Sequence, residues 1–332
     1  MVTPLLVTVG RSGHVESVHE VHVAVVDEAG AVVAAAGDVA RPAYYRSAAK
    51  LMQAAACVAD GAADRFGFGA DALALACASH SAEDRHVSVA RAMLSACGCD
   101  EGHLACGPHP SLSPSVAKAR LKADVVLGPI DNNCSGKHAA MLALARHHGW
   151  DIGGYERPGH PVQERLLREL RRFVGDDTVI DVGVDNCRVC TFRVPLQAMA
   201  LSWARAGTFD DDATRRLRAA MWAHPDLVAG TGRSCTTFLA AAPGRLLVKV
   251  GAEGVYCAAL PERGLGVAVK AMSGDGRAAQ IALAATLRQL DEKLAGTPLP
   301  HAAWAALAEV PVKDTRGDVV GVVRAEGDLA FA

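Results

Sequence analysis

Along the first forty residues the apolar positions come in short β-branched runs. LLVTVGR, EVHVAVVDEAG and AVVAAAGD are each broken by Gly or Asp, and VVDEAGAVVAAAG predicts a hairpin. The pattern changes at RPAYYRSAAKLMQAAACVADG, where Pro42 stops the strand pattern and the Ala, Leu, Met and Gln that follow favour helix. From about 47 to 245 helical segments dominate. SAEDRHVSVARAMLSACG offers Ser81 as a cap, with acidic residues in the first turn. GKHAAMLALARHHGW, PVQERLLRELRRFVG and DDATRRLRAAMWAHPDLVAG are further helices, and the middle one opens on Pro and stops before Gly. TVIDVGVDNCRVCTF is a strand-like interruption. From 246 strands return as LLVKVGAEG, VYCAAL and LGVAVKA, followed by the long helix GRAAQIALAATLRQLDEKLAG and two last strands, EVPVKD and VVGVVRAEG. The ends are β-rich and the middle helical. Strands far apart in sequence are therefore expected to share one sheet, with the helical block inserted between them.

Composition narrows the partners. The 332 residues are 51% hydrophobic but only 5% aromatic, so Ala, Val and Leu must fill the core. With 34 Lys and Arg against 36 Asp and Glu, the net charge of -2 provides no broad positive field for nucleic acid or an anionic membrane. Small molecules, or a second copy of the chain, are the expected partners. The first twenty residues lack the basic start and unbroken apolar run of a signal peptide, and no apolar stretch is long enough for a membrane span. A cytoplasmic location is expected, with the ten cysteines mostly free thiols, each a small buried hydrophobe or a ligand.

Chemistry enters at Ser47 and Lys50, three apart in YYRSAAKLMQ and so on one face of a helix start. A lysine whose pKa is lowered by burial or a neighbouring cation can take the serine proton; Arg46 is adjacent and Lys137 is another candidate. The alternative is a helix cap beside a solvated lysine. An S-x-x-K, S-D-N, K-T-G order is met only in outline, by CASHSAED with Ser79 and Ser81 and by Lys270 in VAVKAMSG. A second pair, Ser79 with Lys270, is thereby expected. DNNCSGKHAAM places Cys134, Lys137 and His138 within one turn, and GVDNCRVC brings Asp185, Cys187 and Cys190 together. Two cysteine segments far apart suit a thiolate metal frame, a redox pair or plain buried cysteine, and the spacing does not choose. Arg233, in the glycine-rich MWAHPDLVAGTGRSCTT, is a candidate bidentate clamp for a carboxylate. Neither GAEG nor SGDGR is a phosphate loop, and LPHAAWAAL reads as core or dimer surface.

Seven ordered blocks, YYRSAAKLMQ, CASHSAEDRHV, CGPHP, DNNCSGKHAAML, VDNCRVCTF, AHPDLVAGTGR and KVGAEGVYCAAL, together resemble the asparaginase II family of the Rhizobium etli type, over about residues 5 to 325. The resemblance implies a serine β-lactamase-like α/β fold, with an antiparallel sheet built from both chain ends around a large helical insertion. It implies one catalytic unit over 1–332, with a mixed subdomain of 1–45 and 246–332 and a mainly helical one of 46–245. It further implies an L-asparaginase that converts L-asparagine to L-aspartate and ammonia, usually as a homodimer. By the same resemblance Ser47 pairs with Lys50 and Ser79 with Lys270. Cys134, Lys137 and Cys187 hold one Zn2+ per chain, and Arg46, His138, Asp185 and Cys257 neighbour the site. This chain departs from the family pattern in DNCRVC, at Asn186, Arg188 and Cys190. It departs again at Asp275 and Gly276, displaced from Lys270 by Ser273 and Gly274, and in SAAKLMQ, which lacks the usual proline. Two rivals follow: an amidohydrolase for glutamine or another small amide, and a zinc- or thiol-binding protein that has lost turnover.

Overall fold

The computed structural model describes residues 2–332. In chain order its elements are β1 (Leu5–Arg11), β2 (His14–Asp27), β3 (Val32–Ala36), β4 (Pro42–Tyr44), a 3-10 turn (Arg46–Ala49), α1 (Lys50–Ala59), α2 (Ala62–Arg65), α3 (Ala70–Ala76), α4 (Asp84–Ala96), α5 (Pro114–Lys122), α6 (Ser135–His148) and α7 (Pro161–Val174). There follow β5 (Asp181–Val184), β6 (Cys190–Pro195), α8 (Leu196–Thr208), α9 (Asp212–Ala223), α10 (Pro225–Val228), α11 (Ser234–Ala241), β7 (Leu247–Gly251), β8 (Val255–Leu260), β9 (Leu265–Ala271), α12 (Gly276–Lys293), α13 (Ala305–Ala308), β10 (Val310–Lys313), β11 (Val319–Glu326) and β12 (Ala330–Phe331).

These elements fall into two units: residues 1–48, 193–208 and 241–332, and residues 49–192 and 209–240. The first is a nine-stranded antiparallel sheet in the order β10-β11-β1-β2-β9-β8-β7, with β3 paired to β2 and β12 to β3. Both chain ends supply strands, as the two β-rich termini predicted. The fourteen-residue β2 organises it: the first half pairs with β1, and Val21–Asp27 pairs with β9. Along Val23–Val26 every side chain is buried, because both faces of the sheet are covered there. Helix α8 provides part of that cover. A Cβ on Gly266 of β9 would lie 2.0 Å from the Ala200 carbonyl oxygen, so helix and strand touch backbone to backbone. For that reason Arg193–Thr208 belongs with the sheet, although the helical middle read from sequence runs through to 245.

The second unit is the helical block. Helix α1 is buried along Lys50–Val58, and α6 along Ser135–Ala145, so both are apolar nearly all round. A Cβ on Gly136 would stand 2.5 Å from the Leu75 carbonyl oxygen, which lets the start of α6 press on the end of α3. That approach brings the segment after α3, CASHSAED, beside the segment that opens α6, DNNCSGKH. Helix α4 begins at Asp84 with Glu83 as cap, two residues after the expected cap Ser81, whose hydroxyl is engaged by Arg233.

Candidate active site

Ser47 sits half-buried on the 3-10 turn, not inside α1, which starts at Lys50. The turn is held within the sheet unit. The Tyr45 hydroxyl donates to Ser202 Oγ at 2.8 Å, and a Cβ on Gly251 would be 2.6 Å from the Tyr45 carbonyl, so β7 supports the turn directly. Arg46 has φ +50, a left-handed conformation that costs a side-chain-bearing residue about 1 kcal/mol. Strain of this kind, one residue before a candidate nucleophile, is kept only where the surroundings over-determine it. Its guanidinium stands 4.0 Å from Glu253.

Lys50 is completely buried. Its Nζ donates to Ser79 Oγ at 3.0 Å and to the Ala78 carbonyl. An amine this deep must have such acceptors, since an unpaired buried charge or donor costs several kcal/mol. Lys50 is therefore one partner of Ser79. Lys270, on β9, donates instead to the carbonyls of Glu253 and Ala271, both at 2.6 Å, and burial lowers its pKa. Asp275 has an occupation of its own, capping α12 through Ala278 N at 2.7 Å.

The loop around Ser79 is knit by buried and half-buried polar groups. His80 Nδ1 accepts from Ala82 N–H at 3.1 Å, which fixes the proton on Nε2, where it donates to Ser135 Oγ at 2.9 Å. His86 is fixed likewise: Nδ1 accepts from Glu83 N–H at 3.0 Å and Nε2 donates to the Asp226 carbonyl at 2.9 Å. The two rings stack at 5.1 Å; burial, then the charges of His86 and nearby cations, lowers the His80 pKa, and burial lowers that of His86 against the opposing pull of Asp226 and Glu83. Arg233 Nη1 reaches Ser81 Oγ at 3.0 Å, and Arg120 pairs with Asp131 and the Ala82 carbonyl. Gly230, at φ +133, passes where a Cβ would meet Ser81 Oγ at 2.7 Å. Arg120 and Asp131 were not singled out from sequence; a buried Asp just before NNCSGKH, needing a cation, was the available signal.

The cysteine segments do meet. Lys137 Nζ is 3.0 Å from Cys187 Sγ, and Asp185 Oδ2 lies 4.0 Å from the same sulfur. The Cys134 thiol faces Cys187 and also Asn133 Oδ1, at 3.1 Å. A hydrogen bond from Cys134, and then the charge of Lys137, lower the Cys187 thiol to about 5 against the effect of burial. Cys134 is pushed up to about 12 by the same hydrogen bond and by burial. Burial disfavours charge on Lys137, but Cys187 and Asp185 outweigh it and raise its pKa. The cluster is thus a buried thiolate balanced by an ammonium. Of its neighbours, His138 is buried, with Nδ1 2.6 Å from the Tyr155 hydroxyl. Tyr155 in turn accepts from Ala105 N–H, so its proton goes to Nδ1 and leaves the His138 Nε2–H without a partner.

This donor set, two sulfurs and an amine, fits a soft divalent cation once Cys134 and Lys137 have given up their protons. Among the described residues no three His, Cys, Asp or Glu side chains gather as a metal site, so a metal here needs Lys137 as its third donor. Two of the altered residues lie on the same turn as Cys187. Arg188, at φ +79, has a side chain 61% exposed and directed to Glu156. Cys190 has its backbone N–H on Gln163, and burial raises its thiol to about 11. Cys257 is buried on β8 opposite Lys249 of β7, both in the sheet unit. Lys249, 1% exposed, is a buried lysine that sequence reading passed over, since KVGAEG looks like an ordinary strand end.

Comparison with known proteins then adds the following. A family model described as L-asparaginase II matches residues 7–325. Among solved structures, a β-lactamase from Mycobacterium bovis is similar at 14% identity and a TM-score of 0.35, over 82% of this chain and 94% of that one. No curated protein matches the sequence.

Proposed function

The chain belongs to the L-asparaginase II family, and from that premise we propose that it hydrolyses L-asparagine to L-aspartate and ammonia through an acyl-enzyme on Ser47. The observation that carries the reading is the fully buried Lys50 amine, three residues beyond Ser47 and bonded to Ser79 Oγ.

In this reaction the Lys50 amine takes the Ser47 proton as Oγ attacks the side-chain amide carbon. The oxyanion is stabilised by backbone N–H groups of the Ser47 turn. The C–N bond breaks as the proton, relayed through Ser79, reaches the departing nitrogen, and ammonia leaves. Water then attacks the ester by the reverse relay, freeing aspartate and Ser47. Lys270, with its pKa lowered by burial, serves as a second amine for proton transfer or amide orientation. Arg233 spends Nη1 on Ser81 and offers its remaining N–H groups to the substrate carboxylate.

Cys134, Lys137 and Cys187 would hold one Zn2+ per chain; when bound it supplies a fixed positive charge for substrate placement. Binding requires Lys137 and Cys134 to give up protons. The protein is read as a homodimer. A cytoplasmic setting is supported by the ten free cysteines of the described structure, since thiols persist in reducing compartments.

The test is ammonia release from a panel of asparagine, glutamine and other small amides. Asparagine is expected to lead. A glutamine-led profile would make the chain a different amidohydrolase. Tight zinc binding with no ammonia from any amide would mark a binding protein that has lost turnover.

A further inference from the structure

Two stretches of the helical unit expose apolar side chains that their own unit leaves uncovered. Around α5, Leu112, Leu121, Val125 and Val126 are exposed, Leu121 to 82% and Val126 to 93%. None of the nine residues of α5 is buried. Before and along β5, Val179, Val182 and Val184 are 73%, 46% and 65% exposed. Together these hold half of the large hydrophobic side chains exposed among the described residues, a concentration that scattered surface apolar residues do not produce.

Neither stretch is a loose tail. Helix α5 is tied down by Arg120, which points inward to Asp131 and the Ala82 carbonyl. Strand β5 lies at a sheet edge, paired with β6. Val182 and Val184, two apart, share one face of it, and an edge strand with an apolar uncovered face is a surface other chains dock on.

The charges of the two stretches are opposite. Lys118 and Lys122 are exposed on α5, with Asp124 as the one acid among them. Asp176, Asp177 and Asp181 are exposed around Val179 and β5. Joining β5 to its own copy would set acid against acid, and joining α5 to α5 would set lysine against lysine, each unfavourable.

We infer that the α5 stretch of one copy docks on the β5 stretch of a second copy, and reciprocally, about a two-fold axis. This rests on the homodimer reading above and names its surface. A two-fold axis makes each contact twice and closes the assembly at two chains. It would also secure both segments that carry the thiol cluster. Cys187 follows Val184 by three residues, and Arg120 of α5 holds Asp131, three residues before Cys134.

Sedimentation of the full chain at micromolar concentration, with ammonia release measured in parallel, tests the surface. The wild type should be a dimer. K118E/K122E and D176K/D177K should each raise the dimer Kd by about tenfold or more, and the four changes together should restore it to near the wild-type value, since reversing both sides re-creates the attraction. Rescue cannot arise from misfolding, so it supports the surface even if one parent variant is unstable. A dimer indifferent to both reversals, or a quadruple variant weaker than either parent, overturns it. A monomeric but active wild type overturns the surface and leaves the hydrolase standing. A dimer that obeys the charge pattern but releases no ammonia does the opposite.

Discussion

At the scale of single residues, the proposed chemistry rests on Ser47 and Lys50. Replacing Ser47 by Ala should cut ammonia release by at least about a thousandfold, with unchanged circular dichroism, because the half-buried hydroxyl has no bond in the fold that the reading depends on. Substantial activity in S47A would move the nucleophile elsewhere. Lys50→Met keeps the side-chain volume but strips the Ala78 carbonyl and Ser79 Oγ of their donor. A buried acceptor left unpaired costs about 1–3 kcal/mol, so K50M should both lose activity and melt lower. An unshifted melting point would mean the buried amine is not satisfying those groups. Cys187→Ser should reduce bound zinc by elemental analysis, whereas Cys190→Ser, whose thiol stands outside the thiolate–ammonium contact, should not. Equal losses from the two would sink the assignment of ligands.

Elements show how the residues are held. The His80–His86 stack locks the polar loop between α3 and α4 in a neutral, tautomer-specific state. Both folded pKa values lie below that of an exposed histidine. Below the ordinary histidine value of about 6.5 the unfolded chain therefore binds protons that the folded chain refuses, and stability falls as pH drops from there toward the folded values. Asp60 and Asp291 also have lowered pKa values, burial being opposed by Arg165 and His148 in one case and by Leu299 N–H, His301 and Arg263 in the other. Their contribution is lost only as pH falls below the ordinary carboxylate range. Urea midpoints from pH 8 to 5 should thus decline before any carboxylate titrates, with the lowered Cys187 thiol adding to the decline over the same window, and His80→Gln should lessen the slope below about pH 6.5. A flat wild-type profile across this window would contradict neutral buried rings. Gly136→Ala places a methyl 2.5 Å from the Leu75 carbonyl and should cost about 1–3 kcal/mol while disturbing both the Ser79 loop and the start of α6.

For the whole molecule, no helix is long and apolar enough to cross a membrane, and the two β-rich ends of the chain close one antiparallel sheet. The proposed general-base role of lysine gives a prediction at this scale: kcat/KM for asparagine should rise from pH 6 toward 9, as amines must be uncharged to accept a proton. A level profile would argue against it. The alternating and 3.6-residue patterns by themselves placed most of the strands and the helices α1, α4, α6, α7, α9 and α12, though not α3, α5, α8 or α11, because burying one face of an element imposes its periodicity on sequence. The motifs YYRSAAKLMQ and DNNCSGKHAAM likewise picked out Ser47, Lys50, Cys134 and Lys137. Only the tertiary structure decided that Lys50 faces Ser79, that Lys270 is held by Glu253 and Ala271, and that Arg188 turns out to Glu156. It alone assigned α8 to the sheet and buried Lys249. The reason is physical: periodicity records which side of an element is dry, whereas a partner for a buried amine or thiol depends on which distant backbone passes within about 3 Å of it, and no local pattern along the chain encodes that distance.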